Sequence, residues 1–121
     1  MTTFYEKKNQ CAVCGTEGEY TGVGSTNTFG APDLDTRPAE MQRSTIFTWV
    51  QRCPECGYCA PDVSKAPSQA ASLVRNSEYT RQLLDSTYPE LANTFLCKAF
   101  IDENLEDYAA AAWALVHAAW V

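Results

Sequence analysis

A chain of 121 residues, 45% of them hydrophobic, with three Trp, six Tyr and five Phe, sustains one small core or one domain with a helical appendage. A chain this short gains from a staple such as a bound metal. Nine Lys+Arg against 15 Asp+Glu leave a net charge of −6, and no basic stripe neutralises phosphates, which argues against nucleic-acid binding.

The N-terminal segment Met1-Thr2-Thr3-Phe4-Tyr5-Glu6-Lys7-Lys8 has no apolar run of the signal-peptide kind. The longest nearly apolar stretch, Tyr108 to Val121, falls well short of the roughly 20 residues that span a bilayer. The expectation is a soluble, cytoplasmic protein with no membrane partner. In a reducing compartment six cysteines point to metal binding or redox chemistry before disulfides.

Residues 1–60 lean toward β-structure. Thr2–Gln10 mixes Thr, Phe and Tyr ahead of the first cysteine pair, and Tyr20–Phe29 reads as a second strand. Ala31–Arg43 is a polar loop with Asp33, Asp35, Arg37 and Arg43. Thr45–Arg52 alternates Ile46, Thr48 and Val50 with Phe47, Trp49 and Gln51, a period of two that predicts the best strand in the chain. Pro61–Pro67 is a linker by composition. Ser68–Leu84 then predicts two short helices. Pro89 beside Glu90, after Thr87, marks the start of a helix to about Asp102, and a last helix covers Glu106–Val121. The expected fold class is α+β: a small zinc-ribbon-like antiparallel β domain over 1–60, then three or four helices over 61–121.

The chemistry lies in the cysteines. Cys11-Ala-Val-Cys14-Gly15 and Cys53-Pro-Glu-Cys56-Gly57 repeat one device. Two intervening residues turn both sulfurs toward one point, and the following glycine permits the tight bend. Two such knuckles supply four thiolates, a set suited to a closed tetrahedral zinc site at Cys11, Cys14, Cys53 and Cys56. The 38 residues between the pairs exceed the usual spacing of about 15–20, so a strand and loop are inserted there. Rubredoxin-like electron carriers hold iron on the same device, and iron is the alternative metal. Cys59 extends the second pair to C-x-x-C-x-x-C, but a ferredoxin run needs a further cysteine at 63, where Val63 stands. Cys59 reads as a small buried residue behind the knuckle, with a reactive redox thiol as the rival role; Cys97 reads as helix core.

An enzyme finds little support. His117 is the one histidine, no phosphate loop or H-E-x-x-H is present, and Asp33 with Asp35 fits a solvated loop better than a carboxylate pair. No catalytic residue is assigned. On the last helix Tyr108, Ala111, Ala112, Leu115, Ala118 and Ala119 form one apolar face, and Trp113, Val116 and Trp120 a second. A helix apolar on both sides needs cover on both. The chain also stops at Val121 with no C-cap glycine or basic last turn, so either the native protein continues or helix 106–121 meets a protein partner or a second copy.

The segments Asp33-Leu-Asp-Thr-Arg-Pro, Trp49-Val-Gln-Arg-Cys-Pro-Glu-Cys-Gly-Tyr and Ala112-Trp-Ala-Leu-Val-His-Ala-Ala-Trp together resemble an uncharacterised bacterial family, domain of unknown function 2225. The resemblance implies a two-knuckle cysteine domain followed by helices similar to tetratricopeptide repeats. It implies Cys11, Cys14, Cys53 and Cys56 as metal cysteines, and it adds no activity. Cys59 stands where the family pattern suggests a small residue such as Ala. The functional expectation is a zinc-stabilised, non-enzymatic protein-interaction module, with a redox or electron-transfer protein as the alternative.

Overall fold

The computed structural model describes residues 3–25, 38 and 44–121. Strand β1 (Thr3–Gln10) pairs antiparallel with β2 (Glu17–Ser25), in a register that sets Gln10 opposite Glu17 and Lys7 opposite Tyr20. A second, minimal hairpin pairs β3 (Gln51–Arg52) with β4 (Cys59–Ala60), Gln51 opposite Ala60 and Arg52 opposite Cys59. Helices α1 (Ala70–Val74), α2 (Ser77–Leu83), α3 (Glu90–Asn104) and α4 (Tyr108–Trp120) follow. The fold class is α+β, as the residue pattern predicts. The two short helices are those expected in Ser68–Leu84. The long one begins at Glu90 with Pro89 as its cap, and the last is capped by the Asp107 carboxylate, which accepts from Ala110 N. The loop with Asp33, Asp35, Arg37 and Arg43, and the end of the expected second strand at 26–29, lie outside the described residues.

The expected strand Thr45–Arg52 is corrected. Only Gln51–Arg52 is extended, and Ile46–Thr48 is one turn of 3₁₀-helix. The threonines account for this. Thr45 carbonyl accepts from both Thr48 N at 2.9 Å and Thr48 Oγ1 at 2.6 Å, and its hydroxyl accepts from Trp49 Nε1 at 3.0 Å. Hydroxyls that bond the local backbone compete with a sheet ladder, here successfully. The turn parts Phe47 from Trp49. Phe47 lies on Phe4, ring centroids 5.4 Å apart, while Trp49 reaches the last helix.

One buried cluster joins the hairpins to the helices. Cys11, Cys53, Tyr58, Cys59 and Val63 contact Val74, Tyr79, Cys97 and Ile101, with Phe100 and Leu105 packed against them. Val63, in the proline-flanked stretch read as a linker, is fully buried, and its carbonyl accepts from Ala12 N at 2.8 Å. Buried Gln51 ties the pieces further: its Oε1 accepts from Val63 N at 3.0 Å and from Asn9 Nδ2 at 3.2 Å. Arg52 docks the second hairpin on α3, donating to Thr94 Oγ1 at 2.9 Å and to Glu90 O at 3.0 Å.

Tyr79 on α2 does the same from the other side. Fully buried, its hydroxyl donates to Gly57 O at 2.6 Å and accepts from Cys59 N at 3.1 Å, and its ring meets Phe100 edge-on. Removing that oxygen leaves two buried backbone groups short of a partner, each worth about 1–3 kcal/mol. We predict that Tyr79→Phe lowers the unfolding free energy by roughly 2 kcal/mol in urea denaturation, since only part of that loss is recovered by relaxation. A variant as stable as the parent would mean that the hydroxyl does not hold the second hairpin.

Candidate metal centre

Each cysteine pair forms the turn of one hairpin. In the first, Cys11 N donates to Thr16 O at 2.9 Å and Gly15 N to Cys11 O at 2.8 Å. In the second, Cys53 N donates to Tyr58 O at 2.9 Å and Gly57 N to Cys53 O at 3.0 Å. The hydrogen bonds match position for position, and Gly15 and Gly57 share a left-handed backbone, φ 78° and 77°. Sequence thus repeats as geometry: a strand enters, two cysteines flank a turn, and glycine takes the conformation that a side chain disfavours.

The turns face each other. The Sγ atoms of Cys11, Cys14, Cys53 and Cys56 all lie within 4.8 Å of one another. Cys11 Sγ is 3.6 Å from Cys56 Sγ, and Cys14 Sγ is 3.5 Å from Cys53 Sγ, so the short separations cross between knuckles. None of the six cysteines is in a disulfide, whose sulfurs would stand about 2.05 Å apart. A tetrahedron with bonds of about 2.3 Å separates its sulfurs by about 3.8 Å. The four-sulfur group has the size and donor chemistry for a metal ion. Val13 N donates to Cys11 Sγ at 3.4 Å, the start of the amide shell that thiolate sites carry.

Electrostatics within the set is uneven. Hydrogen bonds from the Thr16 hydroxyl and amide lower the exposed Cys14 thiol to about 6. Burial pushes the Cys53 and Cys56 thiols up. Tyr20 packs against the buried core that includes Cys11 and Cys53, its hydroxyl buried and without a partner among the described residues, and burial first, then the four cysteines, push it up to about 12. Sulfurs gathered in this way ionise together only when a cation compensates them, because a bound ion inverts the local preference.

Cys59 and Cys97 stand outside this group. Cys59 is 1% exposed behind the second knuckle, its Sγ 3.3 Å from Gly57 O. Cys97 is buried in α3 with its Sγ 3.7 Å from Tyr79 O. His117 is not a member of the four-sulfur group. Its ring sits among Trp49, Phe95, Trp113 and Trp120, at centroid separations of 5.0–5.9 Å, and burial lowers its pKa below the ordinary value.

Two supports were not singled out from sequence. Thr16 beside the first knuckle is a hydroxyl one residue past the glycine, a signal that could have been read. Tyr79 carries no local sequence mark, and its role depends on where α2 packs. Comparison with family models, with curated proteins and with solved structures finds no match for this chain.

The two glycines differ in surroundings. A Cβ on Gly15 would come no nearer than 3.9 Å to Gln10 Nε2, whereas on Gly57 it would meet Leu83 Cδ2 at 2.5 Å. Gly15→Ala should cost about 1–2 kcal/mol from the left-handed backbone alone. Gly57→Ala should cost about 1 kcal/mol more, as Leu83 is displaced. Thermal unfolding of both variants checks the order, and equal costs would show that the contact with α2 is dispensable.

Proposed function

We propose that this chain is a zinc-stabilised, non-enzymatic protein-interaction module, with Cys11, Cys14, Cys53 and Cys56 holding the ion. The observation that carries the reading is the convergence of four sulfurs from two matched knuckles within 4.8 Å. Four thiolates leave no open position for substrate, so the ion's contribution is to the fold. Zinc is preferred to iron because four-thiolate sites are most often structural zinc sites. The redox alternative gains nothing from Cys59, which is too deeply buried to meet a reagent. We also propose membership of domain of unknown function 2225, on the segments that suggest it.

Structural zinc contributes an apparent 10–16 kcal/mol or so in small zinc-finger peptides, as much as the whole stability of a typical domain. Purified protein should therefore contain one zinc per chain by elemental analysis, and strong chelation should unfold the hairpins as read by circular dichroism. A chain with far less than one metal that stays folded under chelation would sink the reading. Visible absorption with a red colour would move it to iron.

The interaction surface is the outer side of α4, a helix without a charged Asp, Glu, Lys or Arg between Tyr108 and Trp120. Tyr108, Trp113 and Val116 remain 36–64% exposed there. In solutions of this chain by itself the partner is a second copy. Sedimentation velocity at high protein concentration should show reversible self-association that Trp113→Glu abolishes. A strictly monomeric parent would remove self-association and leave only a different protein as partner.

A further inference from the structure

A groove of about 260 Å³ lies where α2, α3 and α4 meet. Its floor comes from one stripe of α3, Leu96, Ala99 and Phe100, and Leu115 of α4 forms its apolar wall. The spacing i, i+3, i+4 places the α3 residues on one side of that helix. Leu96 and Phe100 are half-buried and present the accessible part of the stripe, while Ala99 beside them is buried. Phe100 is held from below by buried Tyr79, ring centroids 5.9 Å apart, so the floor rests on the core.

The charges at the rim are of one sign. Glu78 of α2 and Glu103 of α3 line the groove, both exposed, and no Lys or Arg lines it. Glu106 and Asp107 follow just beyond Glu103, and both are exposed. Lys98, the one basic residue of α3, is engaged by Asp102 at 2.6 Å. A second copy of the chain makes a poor occupant. Its own uncharged helix α4 is preceded by Glu106 and Asp107, and seating it here would bring acid toward acid.

We infer that this groove receives a short amphipathic helix of a different protein, which sets apolar side chains against Leu96, Phe100 and Leu115 and places Lys or Arg toward Glu78 and Glu103. This is the helix-in-groove mode, in which apolar anchors supply affinity and rim charges supply register and selectivity. It rests on the interaction-module reading and narrows the partner to one chemistry. The groove spans about two turns of α3, so a partner helix of two to four turns covers it.

The test uses the full chain as bait for a displayed library of 14-residue helix-forming peptides, with two Leu fixed four residues apart and all other positions random. Selected peptides should carry Lys or Arg in clear excess over Asp and Glu at the positions flanking the Leu pair. One such peptide should shift amide signals of Leu96–Glu103 and Leu115 in nuclear magnetic resonance spectra. The exposed double substitution Glu78→Lys with Glu103→Lys should weaken it about tenfold at low salt, with thermal stability unchanged. Enrichment of acidic or uncharged flanks, no enrichment, or binding indifferent to the double substitution would overturn the inference. Peptides that map to Trp113 and Val116 instead would keep the interaction-module reading and remove the groove from it.

Discussion

Four sulfurs from two distant turns must share one small volume, and the described chain is arranged around that requirement. Each hairpin alone is marginal: one is a two-stranded ribbon with a largely exposed face, the other has two residues per strand. Neither would hold its knuckle open toward the other without help. The polar ties between them, Asn9 to Gln51 and Ala12 to Val63, bring the ribbons together but are worth only about 1 kcal/mol each. Among the described residues the sulfur cluster is the contact that could fix the relation of the knuckles most strongly, and it would do so only with a cation to compensate it.

How much of this was legible in the chain depends on whether the signal is local. Cys-x-x-Cys-Gly fixes a turn by its own residues, so the two knuckles and their glycines could be read directly. The helix start at Glu90 was legible for the same reason, since a proline acts within one turn. The last helix was read two residues too early, because Glu106 takes a left-handed backbone, φ 62°, and Asp107 caps the helix instead of joining it. Thr45–Arg52 misled because alternation records which positions are apolar, not how the backbone bonds. Three hydrogen bonds centred on Thr45 outweigh that pattern, and the resulting turn carries Trp49 to α4. Val63 misled in the opposite way. Two prolines and an Asp describe a loop correctly, yet a loop can contribute a buried side chain and a carbonyl to its neighbour.

The last helix shows the limit of face counting. The stripe that packs inward comprises Ala111, Ala114 and Trp120, with His117 and Ala118 half-buried beside them. It cuts across both apolar faces read from the sequence. Trp120 is buried against Trp49, 6.5 Å between ring centroids, while Trp113 is 52% exposed. Two tryptophans a heptad apart face nearly the same side, since a straight helix drifts only about 20° per heptad, and they differ in burial because Trp49 packs on Trp120 and His117 in the last turn. Alanine dominates the inner stripe because α3 lies close. Apart from Trp120 the larger side chains, Tyr108, Trp113, Leu115 and Val116, are left outside, which is why an uncharged helix keeps a broad apolar exterior.

The cluster and the helical surface are mechanically continuous. Gly57, the hinge of the second knuckle, is bonded through its carbonyl to Tyr79, and Tyr79 in turn supports Phe100. Arg52, at the entry to the same knuckle, holds the first turn of α3 at Glu90 and Thr94. Closing the knuckle therefore positions α2 and α3 relative to each other, and with them the side chains that line the space between α2, α3 and α4. A small core that cannot hold helices by burial alone obtains their angle from a rigid turn instead. A metal at the four sulfurs would thereby bear on the surface between α2, α3 and α4 through one buried tyrosine and the half-buried phenylalanine beside it.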